Sequence, residues 1–336
     1  NQDAAHQKKK KLLPPQLSQI RPTAEDYRHG KNITGEEMMS VFQFRGGEFG
    51  NWENDNDRQT NLNMSYDALK DLAKALGIEE KDISLGGQLA IAYGARGSAG
   101  AVAHFEPGMN VINLTKMKGA GSLAHEWGHA LDYYIASWDG NNTGFATEQR
   151  GGRLSKLIKT MKYNGSELTE YYKTSILLDK NFTKAGNKGY WQSDLELFAR
   201  AFASYVNDKL KPASSDYLVG HSEMMGTIDV DGELKNVYVS PQGEDRNRIN
   251  AAFDVLIQEL KEQGILHQID IKENMVEKER GAAVMDHTYE KDVTNVNQLD
   301  EIIEKYEKFL EIFKSDKIND FNEWRLVKAE QLRETL

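Results

Sequence analysis

The run His125-Glu126-Trp127-Gly128-His129 places two histidines four residues apart, with a glutamate beside the first. On a helix that spacing puts both imidazoles on one face, within reach of a single cation, while the glutamate reaches water held there. Zn2+ is the expected cation. It would make that water nucleophilic near neutral pH, and Glu126 would accept and relay the proton. The bland alternative is a helix carrying two histidines on a polar face. A zinc that keeps one position open for water also needs a third protein ligand. The chain has no cysteine, which removes thiolate ligands, cysteine nucleophiles and disulfides together and leaves His, Asp or Glu.

Glu196 is the candidate third ligand. In DLELFARAFASYV the apolar positions Leu197, Phe198, Ala201, Phe202 and Tyr205 bury one face of a helix, and Glu196 sits at its inner start. A carboxylate there is costly to bury unless it meets something cationic. The alternative partner is Arg200, four residues on, in an arrangement that is usually exposed. Asp132, three residues beyond His129, is too close in sequence to complete a good tetrahedron. Its expected role is to orient a histidine or to anchor a neighbouring turn. His104 ends a strand, where a histidine is more often structural than a ligand or substrate contact. His221, in a glycine-flanked loop, either helps to bind a transition state or is an exposed loop residue. Trp127 and Trp191 read as core packing.

These residues must be held by regular elements. The spacing predicts a helix over 65–77 closed by Gly77, strands joined by glycine turns over 85–104, and a strand over 110–115. A long helix follows, with Ser122 as its N-cap and the two histidines on its first turns. Further helices are expected near 154–161, over 194–210 where Pro212 ends it, and after Pro241 as far as Gly264. Asp231-Gly232 is a hairpin turn pair. Thr34 and Glu37 form a capping box that opens a short helix. The stretch FRGGEFGNWENDNDRQTNLN, residues 44–63, is crowded with Gly, Asn and Asp and reads as loop. Residues 1–30 are expected as a flexible arm, 31–268 as one domain, and 269–336 as a charged helical extension. In that extension Leu299, Ile302, Ile303, Tyr306, Phe309, Leu310 and Phe313 form one stripe, a surface suited to a protein partner.

Composition narrows the function classes. Of 336 residues, 42 are Lys or Arg and 52 are Asp or Glu, a formal charge of −10. That balance argues against a nonspecific nucleic-acid binder, which needs a dense basic face. No stretch reaches the apolar length of a membrane span. The N-terminal NQDAAHQKKKKLLPPQ has no apolar segment long enough for a signal peptide, so secretion is not expected.

HEWGHALD followed after a spacer by ELFARAF resembles the gluzincin metallopeptidases of the anthrax lethal factor and Pro-Pro endopeptidase type. Over residues 26–265 the segments RGGEFGNWENDNDRQTNLN, AYGARG, AHFEPGMNVINLTKMKGAGSLAHEWGHALD and YWQSDLELFARAF resemble the zincin-like domain of the large polyvalent proteins of phages and conjugative elements. The resemblance implies an α+β zincin-like fold with a mixed sheet. Its edge strand, over 102–105 or 111–114, would lie beside the cleft and pair with an extended peptide. It implies a zinc metallopeptidase with ligands His125, His129 and Glu196, the general base Glu126, and a protein or peptide substrate. The setting it implies is the cytoplasm of a bacterial cell, with the parent polyprotein or a host defence factor as target.

Two departures stand out. Glu196 follows His129 by 67 positions, a longer spacing than in the compact lethal-factor-type domain. Those peptidases also carry a transition-state tyrosine seven residues before the third ligand, where this chain has Gly189. Tyr190 is one residue out of register and is either an oxyanion stabiliser or a packing residue. Arg45, Asn51, Trp52, Arg58, Arg96 and Gly97 are family-like residues that tie loops together, Arg96 alternatively touching substrate. The sequence is also compatible with two rival functions: a zincin scaffold that binds a protein without cutting it, and a zinc hydrolase of a non-peptide amide.

Overall fold

A computed structural model describes residues 20–23, 25–50, 55–94, 103–115, 119–141, 144–182 and 189–268, together with the backbone of 284–286. The first helix, α1 (Gly35–Phe42), begins at the expected capping box. The Thr34 hydroxyl accepts from the Glu37 amide, and the Glu37 carboxylate accepts from the Thr34 amide. Residues 44–63 are not one loop. They contain β1 (Gly47–Phe49) and the first part of α2 (Asp55–Leu76). Local propensity there is overridden by partners distant in sequence. Asn61 accepts from the Tyr217 hydroxyl at 2.6 Å, and Asn63 accepts from the Ile33 amide at 2.9 Å. Gly77, at φ +61°, closes α2 as expected.

Three more strands follow: β2 (Ala90–Tyr93), β3 (Ala103–Glu106) and β4 (Val111–Leu114). A fifth, β9 (Val284–Asp286), completes a mixed sheet of order β3-β4-β2-β1-β9. All neighbours are parallel except β3, which runs antiparallel to β4, with His104 opposite Asn113. Because side chains alternate along a strand, Ile91, Tyr93, Ile112 and Leu114 enter the main core while Ala90, Ala92 and Val111 form a small cluster on the other face. β9 comes from the segment expected as a helical extension. The apolar stripe from Leu299 to Phe313 lies outside the described residues.

Beyond the sheet the chain is mostly helical: α3 (Leu123–Trp138), α4 (Ser155–Lys162), α5 (Glu170–Phe182), α6 (Asp194–Leu210), α7 (Asp216–Val219) and α8 (Gly243–Glu262). A small hairpin, β5 (Tyr163–Asn164) and β6 (Glu167–Leu168), links α4 to α5. A longer one, β7 (Met225–Val230) and β8 (Glu233–Tyr238), turns at Asp231-Gly232, both with positive φ. Helices α3 and α6 pack along each other. A Cβ on Gly128 would lie 3.1 Å from the Phe202 ring, so the glycine between the histidines lets α6 approach closely. Trp127 stacks on Phe202 at 5.6 Å and donates to the Ile83 carbonyl, a core residue as expected.

Residues 20–23 and 25–30, part of the expected arm, are held against the domain. Ile20 is buried, Arg21 pairs with Asp216 at 2.8 Å, Tyr27 donates to Asp71 and Arg28 pairs with Asp67. Among the described residues no helix is long and apolar enough to cross a membrane.

Candidate metal centre

The two packed helices bring the expected ligands together. His125 and His129, one turn apart on α3, have their Nε2 atoms 3.1 Å apart. Glu196, in the first turn of α6, turns one oxygen to each: Oε2 lies 3.5 Å from His125 Nε2 and Oε1 lies 3.5 Å from His129 Nε2. One ligand atom from each residue falls within 4.8 Å of the others. Glu196 Oε2 is also buried without a hydrogen-bond partner. Two imidazole nitrogens and a carboxylate aimed at one point, with an oxygen left unsatisfied, suit a divalent cation, and the nitrogen-rich donor set suits zinc.

The ion pair weighed for Glu196 and Arg200 does not form. The guanidinium donates instead to the main-chain carbonyls of Glu196, Trp191 and Val239 and to the Ser175 hydroxyl. It lies between the rings of Tyr171 and Trp191 at 5.3 and 5.2 Å. Trp191 packs against the Leu178, Ile228 and Val239 cluster, as expected, and also lines the cavity beside the centre.

Protonation follows the same geometry. Burial, and then the neighbouring His129, push His125 down to about 3. Burial also works against charge on His129, but the Glu196 carboxylate outweighs it and raises that pKa. Burial alone would raise Glu196, yet its contacts with His129 and His125 hold it down at about 2. Glu126, beside this cluster, is pushed up by burial to about 7, partly offset by His129 and the Phe105 amide of edge strand β3. A cation bound next to it would lower that value again.

Asp132 spends both oxygens on the turn after α3, accepting from the Thr147 amide at 2.9 Å and the Thr147 hydroxyl at 2.7 Å. His129 Nδ1 is buried with no hydrogen-bond partner. Of the two roles expected for Asp132, the structure places it as the anchor of that turn.

The cluster opens into a cavity of 380 Å³ whose walls include Tyr190, Arg200 and His221. Tyr190 is 46% exposed overall, but its hydroxyl faces Glu196, and partial burial with the nearby carboxylates raises its pKa. His221 Nδ1 is 2.6 Å from the Ser122 hydroxyl. Ser122, expected to cap α3 with its side chain, makes no such bond. Burial lowers His221 to about 4, so the ring is neutral near pH 7. His104 sits on β3 away from the cavity walls. Arg45 donates to the Met109 carbonyl, tying two loops as expected, whereas Arg58, on α2, lies over the Phe49 ring of β1 at 4.9 Å and joins a helix to a strand. Asn51, Trp52, Arg96 and Gly97 lie outside the described residues.

Residues 182–264 match the family model of large polyvalent protein-associated domain 1. The polyvalent-protein-associated span carries Tyr190, Glu196, Arg200 and His221, whereas His125 to His129 precede it. No curated protein and no solved structure matches the chain.

Proposed function

We propose that the chain is a zinc-dependent metalloendopeptidase of the gluzincin type, built on a zincin-like fold. The observation that carries this reading is the convergence of His125, His129 and Glu196 beside Glu126 at the floor of an open cavity. Those three residues would hold zinc, which would supply a Lewis acid for activating water and polarising a peptide carbonyl.

The chain's own residues do the rest. Glu126 takes a proton from the attacking water and returns it to the leaving amine. The Phe105 amide, on the edge of the sheet, hydrogen-bonds the Glu126 carboxylate and fixes the strand beside the reacting centre. Tyr190 places a neutral hydroxyl near the oxygen that gains charge. β3 offers its outer edge to an extended peptide, which sets an endopeptidase apart from a hydrolase of small amides.

The match to the polyvalent-protein-associated domain supports a phage or mobile-element setting. The substrate is then the parent polyprotein or a host defence protein inside a bacterial cell. The test is a peptide library incubated with the zinc-loaded chain and read by mass spectrometry for new amino termini. Glu126→Gln is expected to keep zinc and fold while cleavage falls by about 10²- to 10⁴-fold. Cleavage by that variant at the original rate would sink the mechanism.

A further inference from the structure

Helix α5 carries a buried polar stripe. Tyr171, Ser175 and Asp179 recur every four residues along it, all three are buried, and side chains at that spacing share one helix face. Each bonds residues 191–200, the stretch that follows Tyr190 and contains Glu196. The Tyr171 hydroxyl donates to the Leu197 carbonyl at 2.9 Å, and the Ser175 hydroxyl accepts from Arg200 at 3.2 Å. The Asp179 carboxylate accepts from the Trp191 amide at 2.9 Å and from the Gln192 amide at 3.0 Å.

A buried carboxylate is costly unless hydrogen bonds replace its water, and two consecutive amides given to one carboxylate fix a turn. That turn is the base from which Tyr190 projects. Gly189, at φ +90°, opens it, and the Tyr190 carbonyl accepts from the Ser193 amide at 3.3 Å and the Ser193 hydroxyl at 2.8 Å. The Trp191 carbonyl accepts from Arg200. The main-chain groups from the Tyr190 carbonyl to the Gln192 amide are thus tied down, while the Tyr190 side chain lines the cavity together with Glu126 and Glu196.

We infer that Asp179 is a positioning residue of the cleft: through the Trp191 and Gln192 amides it holds the turn from which Tyr190 reaches the reacting carbonyl. The inference rests on the peptidase reading and on Tyr190 as its donor. It gives a task to the long stretch between His129 and Glu196, because α5 lies within it. Asp179 is neither one of the three converging ligands nor part of the cavity wall. Its effect on cleavage therefore passes through the backbone it fixes.

The test uses the zinc-loaded full chain with Asp179→Ala and Asp179→Asn, each alone and joined to Tyr190→Phe, and each checked for fold and zinc content. On a cleaved peptide Asp179→Ala is expected to lower kcat by about 10- to 10²-fold with KM little changed, the scale of a misplaced catalytic group. Asp179→Asn, which keeps one acceptor oxygen, recovers part of the loss and carries the test if the alanine variant does not fold. In the Tyr190→Phe background either change adds little, because the hydroxyl it would displace is already gone. An equal loss in both backgrounds, or no loss in either, overturns the inference. Fluorine NMR of 3-fluorotyrosine incorporated at Tyr190 reads the same turn without any cleavage, and the Asp179 variants are expected to shift and broaden that signal. If the wild type cleaves no peptide, the peptidase reading fails and the signal decides the positioning separately: a moved signal upholds it and an unchanged one overturns it.

Discussion

Arg200 Nε donates to the main-chain carbonyl of Glu196 at 3.2 Å, leaving the Glu196 carboxylate to the two imidazoles. The cation is buried, and its charge is answered by carbonyl oxygens and two aromatic faces. It joins the first turn of α6, the Tyr190-Trp191 segment and the end of β8 around one cleft. Lysine cannot reproduce that planar fork. Arg200→Lys is expected to lose about 2–4 kcal/mol of stability, because some of the three carbonyls and the Ser175 hydroxyl that accept from the guanidinium are left without a donor. Denaturant unfolding measures this, and an unchanged midpoint would remove Arg200 from the account.

Tyr190 is the donor that the one-residue shift in register left in question. Its hydroxyl faces the Glu196 end of the cavity. Tyr190→Phe removes only that oxygen. The expected outcome is zinc content and fold as in the wild type, with kcat lowered by about 10²-fold on a cleaved peptide. Full activity in the variant would reduce Tyr190 to packing.

Away from the centre, Asp208 accepts from Arg246 at 2.6 Å and from Asn250 at 2.8 Å, tying α6 to α8. Burial would raise its pKa, but those bonds together with Lys211 hold it down at about 2. A carboxylate with a depressed folded-state pKa stabilises fully above its unfolded pKa and loses that stabilisation as pH falls toward the folded value. Because the pair is partly solvated, the contribution is about 1 kcal/mol near neutral pH. Asp208→Asn should therefore lie below the wild type in thermal stability at pH 7, with the gap closing between about pH 4 and pH 2. A gap independent of pH would contradict the assignment.

Much of this architecture is legible in the sequence where a local signal carries it. The apolar period of α3 and α6, the capping box at Thr34 and the Asp231-Gly232 turn each encode their element within a few residues. The four-residue spacing of His125 and His129, and a carboxylate opening the next strongly apolar helix, likewise announce the centre. What local signals miss is decided by partners far along the chain. The start of α2 looks like loop because Asn61 and Asn63 find their distant partners, Tyr217 and Ile33, only in the folded molecule. Helix α5 carries no clean apolar stripe, so its own sequence gives no helical signal. The Ser122–His221 bond spans 99 residues, and nothing in either segment points to the other. Arg200 reads as a simple helix pair with Glu196 until the carbonyls that surround it are in view.

The most direct measurement is zinc per chain by elemental mass spectrometry on purified wild type beside Glu196→Ala. The expected result is about one zinc per wild-type chain and a clear loss in the variant, since a two-histidine remnant binds weakly. A well-folded wild type that holds no zinc even after zinc is offered would contradict the account and leave the chain as a scaffold that binds without cutting.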